Sequence, residues 1–183
     1  PAPRKRNRNR RTIYTFHQRS LIDPMVETFN GANPDLTCER REASVVPTQA
    51  FALLNGEAPL DLALAMAARI EKEASTPEAR VERAFELAYG RAPLAKEKEL
   101  ALAHIRKLAA HHADNPAPPR KPAPPMVHTI TSELTGEQFQ FTQPEEVIDF
   151  EHNLHPSQVG PETRALADLA LALMNSNELV YVY

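Results

Sequence analysis

A chain of 183 residues, 42% of them apolar and 6% aromatic with no tryptophan, is long enough for one domain with a sizeable core, and its Ala/Leu-rich mix favours helices over sheets. Its single cysteine excludes an internal disulfide framework, a Cys-rich zinc site and haem attachment through C-x-x-C-H. The net charge of -3 hides an asymmetry, because the first 20 residues carry seven Lys/Arg and no acid, which leaves the remainder strongly acidic.

The basic start, "PAPRKRNRNRR", has no apolar run behind it and so does not read as a signal peptide. A basic arm on an acidic body either docks on that body or binds an anionic surface or nucleic acid. Docking or simple solvation is the favoured reading, since no RNA-motif aromatics interleave with the charges of residues 1–12. Residues 11–22, "RTIYTFHQRSLI", alternate weakly and predict an extended segment. In "DPMVETF", Asp23 as N-cap and Pro24 at the first helical position predict a short helix, and "NGANPDLT" reads as loop.

Punctuation in the next stretch predicts consecutive helices. Pro47 opens one through Leu54, with Asn55-Gly56 as a left-handed cap pair. Pro59 opens the next, where Ala63, Met66, Ala67 and Ile70 recur at i, i+3, i+4 and i+7. Thr76-Pro77 starts another, with Val81, Ala84, Phe85 and Ala88 inward and Gly90 at its end. Pro93 begins a fourth that runs to about His112, with Ala101, Ile105 and Leu108 inward. Turns this short predict antiparallel packing of neighbours.

"ADNPAPPRKPAPP" carries six prolines between residues 116 and 125 and reads as a semi-rigid extended connector. The period then changes. "HTITSELTGEQFQFTQ", with Phe139 and Phe141 alternating and Thr135-Gly136 as a turn, predicts a two-stranded hairpin. The stretch from Pro144 to Glu162 is irregular by composition. Pro161 to Met174 predicts a helix with Leu166, Leu169, Ala170 and Leu173 on one face, and "NSNELVYVY" a turn with a short apolar extended tail. No run of about 18 apolar residues exists to span a membrane.

Four blocks in one order carry a family likeness: "RRTIYTFHQRS" (10–20), "TFNGANPDLTCERREASVVPTQAFALLN" (28–55), "RAFELAYGRAPLAKEKEL" (83–100) and "ALADLALALMNSNELVYVY" (165–183). Together they resemble the C-terminal domain of unknown function in large secreted, multidomain proteins of planctomycete-type bacteria. There the domain typically follows another domain of unknown function and often a cytochrome c-like domain. The resemblance implies an exported protein of the periplasm or envelope, with any haem held elsewhere and no cofactor in this chain. It also implies that this chain corresponds to the later part of such a domain, a fragment that completes its fold against another chain or an upstream domain. It transfers no catalytic residues.

The stretch Cys38-Glu39-Arg40-Arg41-Glu42 concentrates the candidate chemistry. Arg19, Arg40 and Arg41 are suited to hold a carboxylate, sulfate or phosphate bidentately, beside Cys38 as a thiolate. Asp35, Glu39 and Glu42 are candidate acids, bases or ligands. Gln49 with Thr48 sits in the first turn of the following helix, where free N–H groups favour an anion. The plainer and favoured reading pairs the arginines with these acids as a buried polar lock on the helix that starts at Pro47, with Cys38 as a small core residue. His152-x-x-His155 with Asp149 and Glu151 has only two imidazoles and lacks the H-E-x-x-H helix pattern, so no metal is expected. His111-His112 sits at a helix end, where imidazolium complements the dipole.

The expectation is a mainly α-helical, bundle-like domain with short connections and a small β-hairpin inserted after a proline-rich linker. Its parts are a basic arm (1–12), a helical core (13–112), the linker (113–125), the insertion (126–160), and a C-terminal helix and tail (161–183) returning to the core. The leading functional expectation is a non-catalytic assembly or binding module, and the alternative is part of an envelope enzyme acting on a polymeric or anionic substrate. Nucleic-acid binding through residues 4–11 ranks last.

Overall fold

The computed structural model describes residues 10–14, 22–33, 35–40, 46–121, 124–143 and 151–180. Among these residues, seven α-helices and one hairpin are ordered α1 (Pro24–Thr28), α2 (Pro47–Asn55), α3 (Glu57–Glu73), α4 (Pro77–Tyr89), α5 (Ala95–Asp114), β1 (Val127–Thr131), β2 (Gln138–Thr142), α6 (Pro161–Met174) and α7 (Asn177–Val180). Two 3₁₀ turns, Thr12–Tyr14 and Pro156–Gln158, complete the described elements. The molecule is mainly helical with one small antiparallel hairpin, as the sequence predicts.

Local chemistry explains most boundaries. Asp23 accepts the Met25 N–H at 2.9 Å and caps α1. Thr76 accepts the Ala79 N–H at 3.2 Å and caps α4, and Gly90 ends that helix at φ +69°, in the left-handed region. At the α2–α3 junction the expectation fails in detail. Gly56 has φ -68°, so it is no left-handed cap. The glycine is needed for space, because a Cβ there would lie 2.3 Å from the Ala52 carbonyl oxygen. The two helices meet at 47° across it. Helix α3 begins at Glu57 rather than Pro59, since Pro59 at its third position still falls among the N–H groups that no helical carbonyl accepts.

Helix α6 is the centre of the body. It packs chiefly against α5 and α3 and more lightly against α4. Eight of its fourteen residues are buried, including Leu166, Leu169, Ala170 and Leu173. Ala165, Ala167 and Leu171 join them, a wider buried arc than one stripe, because neighbours cover α6 on several sides. Burying each such leucine contributes about 1.5–3 kcal/mol. Ala63, Leu64, Ala67 and Ile70 of α3 and Val81, Ala84 and Phe85 of α4 complete the cluster, with Ala101 from α5. Alanines at the contacts let the helix axes approach closely.

Three segments differ from expectation. Residues 12–14 form a 3₁₀ turn in place of extended chain, while 15–21 lie outside the described residues. Helix α5 begins at Ala95 and reaches Asp114, two residues into the expected linker, and the Glu97 carboxylate accepts the Leu94 N–H at 2.7 Å at its start. The C-terminal segment makes a helical turn, α7, in place of an extended tail, and residues 181–183 lie outside the described residues. No single helix among the described residues is long and apolar enough to cross a membrane.

Candidate functional site

The loop after α1 turns through Asn30, whose φ of +51° is a conformation that asparagine tolerates. It leads to an open concavity of about 640 Å³ lined by Glu27, Asn30, Cys38, Glu39 and Arg40 among others. Cys38 is exposed, and its Sγ donates to the Arg40 carbonyl oxygen at 3.4 Å. It is therefore not a core residue. Glu39 and Arg40 are exposed too, so this part of the cluster faces solvent rather than forming a buried lock. Arg19, Arg41 and Glu42 lie outside the described residues. Gln49 points elsewhere: its Nε2 donates to the Thr28 carbonyl at 3.1 Å and ties α2 to the end of α1. The concavity thus presents one thiol, one guanidinium and two carboxylates to solvent, a set suited to binding a small polar or anionic group.

The histidine pair sits in a different setting. Asp61 of α3 is 1% exposed. Its carboxylate accepts the Asn153 and Leu154 N–H groups and, at 2.6 Å, the Asn153 side-chain amide. His152 stands beside it, with Nε2 3.1 Å from Glu57 Oε1 and Nδ1 3.9 Å from Asp61 Oδ1. His155 serves the following 3₁₀ turn: its Nδ1 accepts the Ser157 N–H at 3.2 Å, while its own N–H donates to Gln158. The two rings meet edge to face, their centroids 5.6 Å apart. Asp149 lies outside the described residues, among which no group of three or more His, Cys, Asp or Glu is placed to hold a metal ion.

Periodicity gave no account of two further polar contacts. His112 Nε2 lies 2.6 Å from Asp168 Oδ2 and joins α5 to α6, beyond any helix-dipole role. Arg91 holds Glu97 through both terminal nitrogens at 2.9 Å and reaches Glu178 at 2.6 and 2.8 Å, so the α4–α5 turn grips α7. Its guanidinium also lies 5.7 and 5.4 Å from the Phe85 and Tyr89 ring centroids. Finally, Asp61 had a legible signal: a lone acid three residues before Leu64, on the inward face of α3.

A cavity of about 260 Å³ lies between α4, α5 and α6, floored by Leu102, Ile105 and Leu166 with Arg80 and Arg106 at its edge. Arg80 is already engaged: Nε donates to the Ala74 carbonyl at 3.2 Å and Nη1 lies 3.8 and 3.6 Å from Glu71 and Glu162.

No curated protein and no solved structure matches the chain. One family model does match, over residues 2–105, from the basic start to the middle of α5. More than half the chain lies within that match, and it therefore belongs to the family described as PSD1, Protein of unknown function (DUF1553).

Proposed function

We propose that this chain is a non-catalytic assembly or binding module of an exported multidomain protein of planctomycete-type bacteria, acting at the cell envelope. In this reading a cytochrome c-like domain elsewhere in the family protein carries any haem, and this chain completes its fold against another chain or domain. One observation carries the reading: α2 buries none of its residues, although Ala50, Phe51, Ala52, Leu53 and Leu54 make it mostly apolar. Phe51 is 65% exposed, and Leu60 and Leu62 of α3 add further apolar surface. Apolar area of this kind, drawn from α2 and the first turns of α3, fits a surface that a partner covers. The test is the mass and composition of the native particle that contains this chain. A second polypeptide or domain seated on α2 supports the reading, and a stable compact monomer overturns it.

A second reading, a binding pocket of an envelope enzyme for an anionic substrate, draws on the concavity where Cys38 and Arg40 turn their heads to solvent. Titration with sulfate and with a dicarboxylate tests it. Saturable binding lost in Arg40→Ala favours it, and binding that Arg40→Ala leaves unchanged removes it.

A further inference from the structure

We propose that the β1–β2 hairpin is a docking arm that takes an extended, positively charged segment of a partner polypeptide as a third strand. This rests on the assembly reading and names a surface and a partner chemistry for it. Each strand is five residues long, and every residue of the two except His128 is exposed. Two strands alone are marginally stable in water.

The pairing makes this hairpin two-faced. His128 faces Phe141 and Ile130 faces Phe139, while Thr129–Gln140 and Thr131–Gln138 form the opposite, polar face. Ile130, Phe139 and Phe141 are 54%, 57% and 48% exposed, and Leu134 at the tip is 97% exposed. The apolar face thus has the pattern of a strand pair that covers something, and among the described residues it covers little.

The edges are equally open. The bonds from Ser132 N to Glu137 O and from Gln143 N to Met126 O fix which rungs are hydrogen-bonded pairs. Alternation along an antiparallel pair then turns the backbone groups of Val127, Thr129 and Thr131 out of one edge, and those of Gln138, Gln140 and Thr142 out of the other. Natural sheets blunt such edges with lysine, proline or a bulge. Neither strand contains lysine or proline, and the register runs without a bulge. An unprotected edge beside an apolar face is the geometry that strand addition uses.

Charge selects the occupant. Glu133 and Glu137 flank the tip, and no Lys or Arg occurs between Lys121 and Arg164. A second copy of the hairpin would set like charges together, whereas a strand alternating Lys or Arg with apolar residues satisfies the acids, the edge and the apolar face at once.

The probe is a synthetic peptide alternating Lys and Val, with a counterpart carrying Glu for Lys, each titrated into the full ¹⁵N-labelled chain. The Lys peptide is expected to bind, to shift the amide signals of residues 127–131 and 138–142, and to weaken as salt rises. The double substitution Phe139→Ser/Phe141→Ser weakens it roughly tenfold or more, with an unchanged thermal midpoint showing that the helical body is intact. Glu133→Gln/Glu137→Gln narrows the preference for Lys over Glu peptide. Equal binding of both peptides, or shifts confined to the helices, overturns the proposal. If the native particle holds a second chain and the Phe139→Ser/Phe141→Ser variant still joins it, the docking arm fails while the assembly reading stands. A monomeric native particle sinks the assembly reading on its own evidence, because the titration reads the hairpin directly.

Discussion

Asn153 gives both its backbone N–H and its side-chain amide to the carboxylate of Asp61, a side chain that is 1% exposed. Ninety-two residues separate the two. The bond fastens the segment leading into α6 onto α3, the same two helices whose leucines and alanines meet in the core. Replacing Asp61 by alanine strips acceptors from the Asn153 and Leu154 N–H groups in a buried place, at a cost of about 3 kcal/mol. For a chain of this size that corresponds to a fall of roughly 6–12 °C in thermal midpoint. Asp61→Asn keeps one acceptor oxygen and is expected to lose less. Differential scanning calorimetry on both variants reads this, and a midpoint unmoved by Asp61→Ala would refute it.

Ile70 and Phe51 make an informative pair, since both are large and apolar but only Ile70 is buried, at 0% exposure against 65%. Ile70→Ala leaves a cavity beneath α6 and is expected to cost about 2–5 kcal/mol. Phe51→Ser removes a side chain that touches mostly water, so the isolated chain should change by no more than about 0.5 kcal/mol. Recovery of the native particle reverses the ranking: Phe51→Ser releases the partner while the fold survives. Destabilisation of the isolated chain by Phe51→Ser on the scale of Ile70→Ala would place Phe51 in a core instead.

Much of this architecture is legible in the sequence because its punctuation is local. Pro24, Pro47, Pro77 and Pro161 each sit in the first turn of a helix, where their missing N–H costs nothing. Gly136, at φ +73°, turns the hairpin where Thr135-Gly136 predicts it. What local rules miss is tertiary. Nothing in the spacing around Gln49 says that its amide serves the Thr28 carbonyl rather than a ligand. Nor does "CERR" reveal that Cys38 faces solvent, because burial depends on which elements close over a loop. Arg91 and Glu178 lie 87 residues apart, beyond any helical period.

Gly90 offers a test of backbone conformation without steric confusion. Its φ is +69°, and a Cβ added there would meet no atom within 4 Å. Gly90→Ala therefore acts through the left-handed conformation alone, at about 1–2 kcal/mol, or a drop of roughly 2–8 °C in midpoint. Gly56→Ala is the contrasting case: φ there is ordinary, and the damage comes from the Ala52 carbonyl oxygen 2.3 Å from the new Cβ. A loss of helicity limited to the α2–α3 junction, read by amide hydrogen exchange, is expected for Gly56→Ala and not for Gly90→Ala.

The grip of Arg91 on Glu97 and Glu178 sets an acid limit on the α4–α5 turn. The Arg91 hydrogen bonds first, and the Leu94 N–H second, pull Glu97 from an ordinary value of 4.5 down to about 2. Arg91 likewise holds Glu178 below the usual carboxylate range. A carboxylate with a depressed folded pKa binds protons more weakly in the native state, so its stabilisation is complete above the unfolded value and disappears as pH falls through the folded one. The window for Glu97 runs from about 4.5 down to about 2. Thermal midpoints measured from pH 6 to pH 2 should therefore fall more steeply for the parent chain than for Glu97→Gln. The parent starts higher at pH 6, and the two curves draw together near pH 2. Because these side chains are about one-third exposed or more, raised salt should shrink the gap at pH 6. Curves that run parallel across the whole range would mean that neither Arg91 nor the Leu94 N–H favours the ionised form of Glu97 in the fold.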